Sequence, residues 1–215
     1  MQREEDGQGE KDVAGTRLVA LELSHRIKNV FALVSGLVAL SARDQPEMRD
    51  FAQAVQARIQ ALARAHNYLL SQDRYSTPPE DRETVQGLLG VLTAPYQGRL
   101  SRTITIEGDD APVGVHSAGT LALIVHELAT NAAKYGALSN ENGTVRIVCE
   151  QADQRYSIEW REEGGPPVLG EPERRGFGTK LTERFAAVGR IDIRRSWRPE
   201  GLRVLISMPL SDLAC

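Results

Sequence analysis

The sequence predicts an α+β protein in which an antiparallel helical hairpin precedes a mixed α/β sandwich. Three observations lead to this class. Apolar residues recur at helical spacing over two long stretches before residue 71. A polar stretch with a proline pair follows at residues 71–83. Beyond it, helical patterns are interspersed with alternating strand patterns, and most of the strands are joined in pairs by short turns, as in β-hairpins.

The first long helix is predicted to begin near Thr16, a plausible N-cap, and to end before Pro46. Its apolar residues form a seam with the heptad-like spacing 4, 3, 4 and 3. At about 100° per residue, His25 lies about 160° around the helix axis from the start of this seam. We therefore place His25 away from the seam residues, which are Leu23, Ile27, Val30, Val34 and Leu37.

A second helix is predicted from about Glu47 to Leu70. Its apolar seam includes His66, for which a packing or capping role is favoured. The connection at Asp44–Pro46 is short, so the two helices form an antiparallel hairpin. The predicted organisation is a charged lead at 1–16, the hairpin at 17–72, a linker at 73–83 and a second domain at 84–215. The lead is expected to be either disordered or a remnant of cloning.

The second domain carries helical and strand patterns in alternation. Helices are predicted at Thr84–Ala94, from the N-cap Ser117 to about Tyr135, and at Thr179–Val188. Strands are predicted at Thr103–Glu107 and in two hairpins, TVRIVCE with RYSIEWRE and IDIRRSW with LRVLISMPL. The Gly- and Pro-rich residues from Glu163 to Gly178 are predicted as a mobile loop. We expect the helices to lie on one face of the sheet.

Composition excludes several classes of protein. Lys and Arg number 26 against 29 Asp and Glu, and this balance argues against a nucleic-acid-binding protein held by charge. Apolar runs are too short for a membrane span, and the N-terminal residues lack the apolar region of a signal peptide. Cys149 and Cys215 make neither a disulfide framework nor a zinc motif. We expect a cytoplasmic protein with no nucleic-acid or membrane partner.

The first helix carries a polar cluster, His25-Arg26-Ile27-Lys28-Asn29. A histidine can act as a nucleophile when one ring nitrogen is neutral and accessible. Arg26 and Lys28 beside it suit an anionic substrate group. The alternative is a solvated helix face with an ordinary histidine, and the cluster alone leaves both interpretations open.

The helix after Ser117 contains the polar residues His126, Glu127 and Asn131 within an apolar sequence, followed by Lys134. Glu127 and Asn131 are four residues apart and therefore share one helix face. Carboxylate and amide oxygens are ligands for Mg²⁺, which binds substrate phosphates while keeping several waters. Lys134 is close enough in sequence to reach a phosphate. The alternative is a charged stripe on a half-buried helix.

Two glycine-containing clusters follow. In the first, a strand ends at Trp160-Arg161-Glu162-Glu163 and continues as Gly164-Gly165-Pro166-Pro167. Glycines let the backbone approach a ligand closely, and a buried carboxylate accepts a hydrogen bond from an exocyclic amine. The second, Arg175-Gly176-Phe177-Gly178, precedes a helix and can present free N–H groups to a phosphate, although an ordinary loop-to-helix turn has the same composition.

In this order, the four clusters resemble the motifs of the HWE family of bacterial sensor histidine kinases, over nearly all of Leu18–Leu210. LELSHRIKN is similar to the phosphoacceptor box, and HELATNAAKYGALS to the nucleotide-binding N-box. WREEGGPPV is similar to the W-x-E motif of the adenine-site box, and RRGFG to the second glycine box. Gly189-Arg190 departs from the glycine pair that the family often has before its last hairpin.

The resemblance implies a dimerisation and phosphotransfer hairpin followed by a Bergerat-type ATP-binding domain of the histidine kinase, or GHKL, class. It implies that His25 is the phosphoacceptor, with Arg26 and Lys28 at the acceptor end. Asn131 would hold Mg²⁺, with Glu127 as a second ligand or a polar organiser, and Glu162 would recognise adenine. The other residues assigned to the nucleotide are His126 near the phosphates, Lys134, Trp160 beneath the site, and the lid residues Gly164, Gly165, Arg175, Gly176, Phe177 and Gly178.

The implied activity is autophosphorylation of His25 from ATP with Mg²⁺, followed by transfer to an aspartate on the receiver domain of a separate response regulator. A homodimer through the hairpin is expected, with the stimulus supplied by a sensor domain or protein absent from this chain. The alternative is a histidine phosphotransfer or scaffold protein with a non-catalytic ATP-binding-like domain. Retention of Asn131, Glu162 and the Gly176–Gly178 turn favours the kinase, and an ATPase without histidine transfer would not explain the cluster around His25.

Overall fold

The structure is a computed structural model that describes residues 22–23, 25–70, 83–98, 103–168, 170–171 and 177–214. These residues divide into two compact units. The first contains the described residues as far as Ala63, together with Leu70. The second contains Arg64–Leu69 and the described residues from Glu83 onward. Each unit is described by itself.

The first unit is a pair of helices. Helix α1 is described at residues 22–23 and, continuously, over 25–41, so the predicted start at Thr16 lies outside the described residues. A 3₁₀ turn at Pro46–Met48 leads into α2 at Arg49–Leu70, close to the predicted second helix. The side-chain amide of Gln56 donates a hydrogen bond to the carbonyl oxygen of Ser35 over 3.2 Å, which joins the two helices. The predicted helical hairpin is confirmed.

The predicted apolar seam of α1 is largely exposed in the isolated chain. Leu23 is 58% exposed and Leu37 is 56% exposed, and Val30 and Val34 are exposed as well. The half-buried positions of α1 are Ile27, Phe31, Ser35 and Val38, which recur at helical spacing. Only one seam residue, Ile27, is therefore partly covered within the chain, and the hairpin presents an apolar stripe to its surroundings.

The second unit contains a five-stranded sheet in the order β1-β2-β3-β5-β4. Strand β1 is parallel to β2, and the other neighbours are antiparallel. The two predicted hairpins are observed as β2 with β3 and β4 with β5. The strands are β1 at Thr103–Gly108, β2 at Thr144–Ala152, β3 at Arg155–Glu163, β4 at Asp192–Arg198 and β5 at Gly201–Pro209.

Helices cover one face of this sheet, as predicted. The longest, α4, lies between β1 and β2 in sequence and packs against α3 and α5. Alternate residues of β2, β3 and β5 are buried, whereas their neighbours face outward, where Glu159 pairs with Arg161 and Arg203. The helices are α3 at Val85–Thr93, α4 at Val115–Lys134, α5 at Phe177–Val188 and α6 at Leu210–Leu213, with 3₁₀ turns at Ala94–Tyr96 and Ala137–Ser139.

The start of α4 differs from the prediction that Ser117 is its N-cap. The helix begins at Val115 with Gly114 at the N-cap position, so His116 lies in its first turn and not in a preceding loop. The hydroxyl of Ser117 donates to the carbonyl oxygen of Asp212 over 2.7 Å. The Ser117 side chain therefore forms a long-range hydrogen bond to the C-terminal segment and does not cap the helix.

We predict that Gly201→Ala destabilises the second unit by about 2–3 kcal/mol. Gly201 has a φ of +154°, and an added Cβ would overlap the carbonyl oxygen of Glu162. The matched control is Gly170→Ala, because Gly170 has a φ of +144° but, among the described residues, no atom lies within 4 Å of an added Cβ. Urea denaturation measures both variants, and equal losses of stability would contradict the proposed clash at Gly201.

Candidate functional site

The carboxylate of Glu162 is held at the end of β3 by two protein donors. Glu162 is a buried acid, 5% exposed, and it points to the helix-covered face of the sheet beside Val145 of β2. The indole Nε1 of Trp160 donates to its Oε1 over 3.0 Å. The backbone amide of Ala137 donates to its Oε2 over 2.9 Å. Both oxygens are therefore fixed in direction, and each keeps capacity to accept a further hydrogen bond.

Burial raises the pKa of Glu162 above the usual value for a glutamate, because removal from water penalises the charged form. The hydrogen bonds from Ala137 and Trp160 act in the opposite direction, since they stabilise the carboxylate. The site thus combines a desolvated acid with two donors that favour its ionised form. Such opposing effects are typical of groups retained for recognition or chemistry.

Close approach around this carboxylate depends on glycines. An added Cβ on Gly136 would overlap Oε2 of Glu162, and one on Gly165 would lie 2.8 Å from the backbone nitrogen of Ala137. Gly165 belongs to the predicted glycine cluster, and its neighbour Gly164 has a φ of +75° that favours glycine. Gly136 and the amide of Ala137 were not identified from the sequence. A glycine just after a predicted helix end is a signal for the first, whereas a backbone donor carries no sequence signal.

The predicted polar face of α4 is open to solvent. Asn131 and Lys134 are exposed and Glu127 is half-buried, whereas Leu128, Ala129 and Ala132 are buried. The carbonyl oxygen of Asn131 accepts hydrogen bonds from the amides of Tyr135 and Gly136, over 2.8 and 3.1 Å. The same turn then presents the Ala137 amide to Glu162. The helix end that carries Asn131 is thereby connected to the buried carboxylate within one unit.

His126 lies on the buried side of α4. Its Nδ1 is 2.8 Å from the hydroxyl of Tyr96, which is also 3.0 Å from Oγ1 of Thr130. Tyr96 belongs to the 3₁₀ turn after α3 and was not identified from the sequence. The structure thus gives His126 an interior contact between two elements, and its expected place near the phosphates stays a prediction.

In the first unit, the polar cluster of α1 is accessible. His25 and Lys28 are exposed, and the guanidinium of Arg26 pairs with Glu22 one turn earlier, at 2.5 Å. Both partners of this ion pair are exposed, so the pair contributes little to stability and can exchange for another anion.

Comparisons with known proteins give a family model, similar sequences and a similar fold. Residues 22–110 match the family model described as HWE histidine kinase. The chain is 33% identical over 196 residues to blue-light-activated histidine kinase 1 of Erythrobacter litoralis, and 35% identical over 175 residues to the blue-light-activated histidine kinase of Brucella anthropi. The solved histidine kinase domain from the Erythrobacter litoralis EL346 blue-light activated histidine kinase has a TM-score of 0.58 at 18% identity, over 91% of this chain and 95% of that chain.

The family model and these relatives confirm the resemblance to HWE histidine kinases that the sequence motifs indicate. The two matches to curated relatives cover 90% and 80% of this chain but 53% and 34% of those relatives. The chain therefore spans about half or less of the relatives' length. Among its described residues, none of the helices is both long and apolar enough to cross a membrane.

The second glycine cluster of this chain is only partly described. Arg175 and Gly176 lie outside the described residues. Phe177 and Gly178 form the first residues of α5, which begins two positions before the predicted Thr179. These two residues therefore belong to a helix start, where backbone N–H groups lack helical acceptors, and not to the predicted loop.

The residues predicted to hold Mg²⁺ are compatible with that ion. Asn131 and Glu127 offer an amide and a carboxylate oxygen on one accessible face, which suits an ion that is completed by water and substrate phosphates. Within the described ranges, no group of three or more His, Cys, Asp or Glu side chains is placed to enclose a metal. The two donors thus fit an ion shared between the protein and substrate phosphates better than an ion bound by protein groups alone.

We predict that the stability difference between the wild-type chain and Glu162→Gln changes with pH. The raised pKa means that folded Glu162 takes up a proton more readily than unfolded Glu162. The wild type therefore gains stability relative to Glu162→Gln as pH falls. This gain is complete below the pKa of the unfolded side chain and is lost as pH rises through the pKa of the folded one.

Urea denaturation at a series of pH values measures this difference. Loss of hydrogen bonding in Glu162→Gln adds a constant difference in the free energy of unfolding. The change of that difference with pH therefore reports the raised pKa of Glu162. Glu163→Gln is the matched control because Glu163 is an exposed carboxylate at the next position of β3. Parallel profiles for wild type and Glu162→Gln would contradict the raised pKa.

Proposed function

We propose that this chain is the core of an ATP-dependent protein-histidine kinase of two-component signalling. It autophosphorylates His25 and passes the phosphoryl group to an aspartate on a response-regulator receiver domain. The observation that carries the proposal is the connection between Asn131 at the end of α4 and the buried carboxylate of Glu162, through Gly136 and Ala137. The match to the family model and the exposed His25 on α1 support it.

On the nucleotide side, Glu162 accepts a hydrogen bond from the exocyclic amine of adenine. Its oxygens have room for this bond after those from Trp160 and Ala137. Gly136 and Gly165 let the backbone approach the base closely, since neither tolerates a Cβ without movement of its neighbours. Burial of the carboxylate strengthens its discrimination between a donor and an acceptor on the base.

On the phosphate side, the exposed face of α4 carries the binding groups. Asn131, with Glu127 as a second ligand or organiser, would hold Mg²⁺, and Lys134 lies one turn further along the helix. The metal supplies neutralisation of phosphate charge. Arg175, Gly176, Phe177 and Gly178 contribute N–H groups and a guanidinium at the lid.

In the transfer step, a neutral ring nitrogen of His25 attacks the γ-phosphorus. A nitrogen–phosphorus bond forms as the bond to the bridging oxygen breaks, and ADP leaves with the electron pair of that bond. Arg26 and Lys28 balance charge at the acceptor, where Arg26 exchanges Glu22 for phosphate. Attack by the receiver carboxylate then moves the phosphoryl group to aspartate and restores the imidazole.

The structural features count against a non-catalytic scaffold of the same shape. Burial of an acid is costly, and a phosphotransfer scaffold would have no use for it. Here the acid is retained together with two dedicated donors and the glycines that accommodate it.

The exposed seam of α1 supports a homodimer through the hairpin. The seam is apolar and has heptad-like spacing, as expected for packing against another helix pair. We propose that a second copy of the chain covers it, since a large apolar stripe is costly to leave in water. The names of the longer relatives state that they are light-activated, and we propose that this chain likewise responds to a sensor outside the present residues.

We predict that incubation with γ-³²P-ATP and Mg²⁺ gives an acid-labile, alkali-stable label on the wild-type chain. His25→Ala abolishes the label because the acceptor nitrogen is lost. Asn131→Ala abolishes it because the nucleotide and its metal lose a ligand, and the exposed position of Asn131 leaves the fold intact. Gel autoradiography after alkaline and acid treatment measures the label.

Two variants provide matched controls. His116→Ala removes an exposed histidine of α4, and Asn67→Ala removes an exposed helical asparagine of α2. Both are expected to retain the label of the wild type. Label that persists in His25→Ala would overturn the acceptor assignment, and full label in Asn131→Ala would overturn the assignment of the phosphate side.

A further inference from the structure

Trp160 combines two features that a residue used only for packing does not need. Its ring is 1% exposed and lies between Ile147 and Val204 on the neighbouring strands. An apolar ring would fill that space equally well. The indole N–H, however, is aimed at Oε1 of Glu162, two residues further along the same face of β3.

The two donors to Glu162 constrain it differently. The Ala137 amide belongs to the turn that follows α4, so that bond connects the carboxylate to the helix side of the site. The indole N–H comes from the floor of the sheet and fixes the second oxygen. One donor alone leaves the carboxylate free to rotate about that bond, whereas two donors on different oxygens fix its plane.

We propose that Trp160 is a positioning residue that sets the preference for adenine, by holding the Glu162 carboxylate oriented toward the exocyclic amine of the base. This inference rests on the adenine-binding role proposed above for Glu162. The indole N–H of Trp160 donates to the carboxylate and the ring is buried in the sheet, so its effect on base choice acts through Glu162.

The chemistry of the purine bases makes the proposal specific. Adenine carries an amine donor at its six position, whereas hypoxanthine carries an oxygen acceptor there. A fixed, ionised carboxylate accepts from the amine and repels the oxygen, so it favours adenine. A carboxylate that rotates discriminates less, because it can turn away from the oxygen of hypoxanthine or recruit water.

The experiment compares the dissociation constants of ADP and inosine diphosphate for the full chain, by calorimetry with Mg²⁺. The wild type is expected to favour ADP by about tenfold or more, the value of one charge-assisted hydrogen bond. Trp160→Phe is expected to reduce this ratio several-fold. A general loss of folded protein weakens both ligands equally and leaves the ratio unchanged, so the ratio separates positioning from packing.

Three further variants complete the test. Glu162→Gln is expected to bring the ratio near one, because an amide offers both a donor and an acceptor. Trp197→Phe removes the other of the two tryptophans, and it is expected to keep the wild-type ratio. In the Trp197→Phe chain, replacement of the remaining tryptophan by benzothienylalanine preserves its size and removes its N–H. This chain is expected to behave as Trp160→Phe does, and it serves if Trp160→Phe does not fold.

The outcomes separate the two proposals. A reduced ratio in both N–H-deficient chains supports positioning by Trp160. A wild-type ratio in those chains, with a ratio near one in Glu162→Gln, would overturn the role of Trp160 and leave the function of Glu162 intact. A wild-type protein without preference for ADP would overturn the adenine-binding role itself, and with it this inference.

Discussion

The carboxylate of Glu162 accepts hydrogen bonds from two groups on different elements of the fold, and the organisation of the candidate site depends on this pair of bonds. The amide of Ala137 follows the helix that carries Asn131, and the indole of Trp160 projects from the core of the sheet. The carboxylate therefore joins the helical layer to the strand layer at one end of the sheet. Three glycines lie close to these groups. A Cβ would meet the Glu162 carboxylate at Gly136, the Ala137 amide at Gly165 and the Glu162 carbonyl oxygen at Gly201.

This arrangement carries a cost in stability, for which the proposed recognition of adenine offers a reason. Burial raises the pKa of Glu162, so the ionised form is held against its tendency to take up a proton. An apolar residue at the end of β3 would avoid that cost. The two donors offset part of it and leave acceptor capacity for a ligand. The accessible side of α4 carries Asn131, Glu127 and Lys134, and the helix leads into Gly136 and Ala137. In the function proposed above, the desolvated end binds the base and the solvated end binds the phosphates.

Much of the fold could be predicted because its elements have local patterns. The alternation in β2 and β3 and the spacing of Leu23 and Leu37 in α1 depend only on the periods of strands and helices. Prediction was wrong for Ser117, because its hydroxyl bonds to Asp212, a residue 95 positions away. The contact of Tyr96 with His126 and the amide of Ala137 were missed for the same physical reason. Long-range partners and backbone donors leave no periodic signal, whereas the family motifs marked Glu162 and Asn131 without showing how they are held.

The central claim is that the buried carboxylate of Glu162 is the base-recognition end of an ATP site whose phosphate end is the open face of α4. A crystal structure of the full chain with ADP and Mg²⁺ tests this claim most directly. We expect the exocyclic amine of adenine to lie within hydrogen-bond distance of the Glu162 carboxylate, with the bonds from Trp160 and Ala137 retained and the phosphates beside Asn131. A base bound elsewhere, with no contact to Glu162, would contradict it.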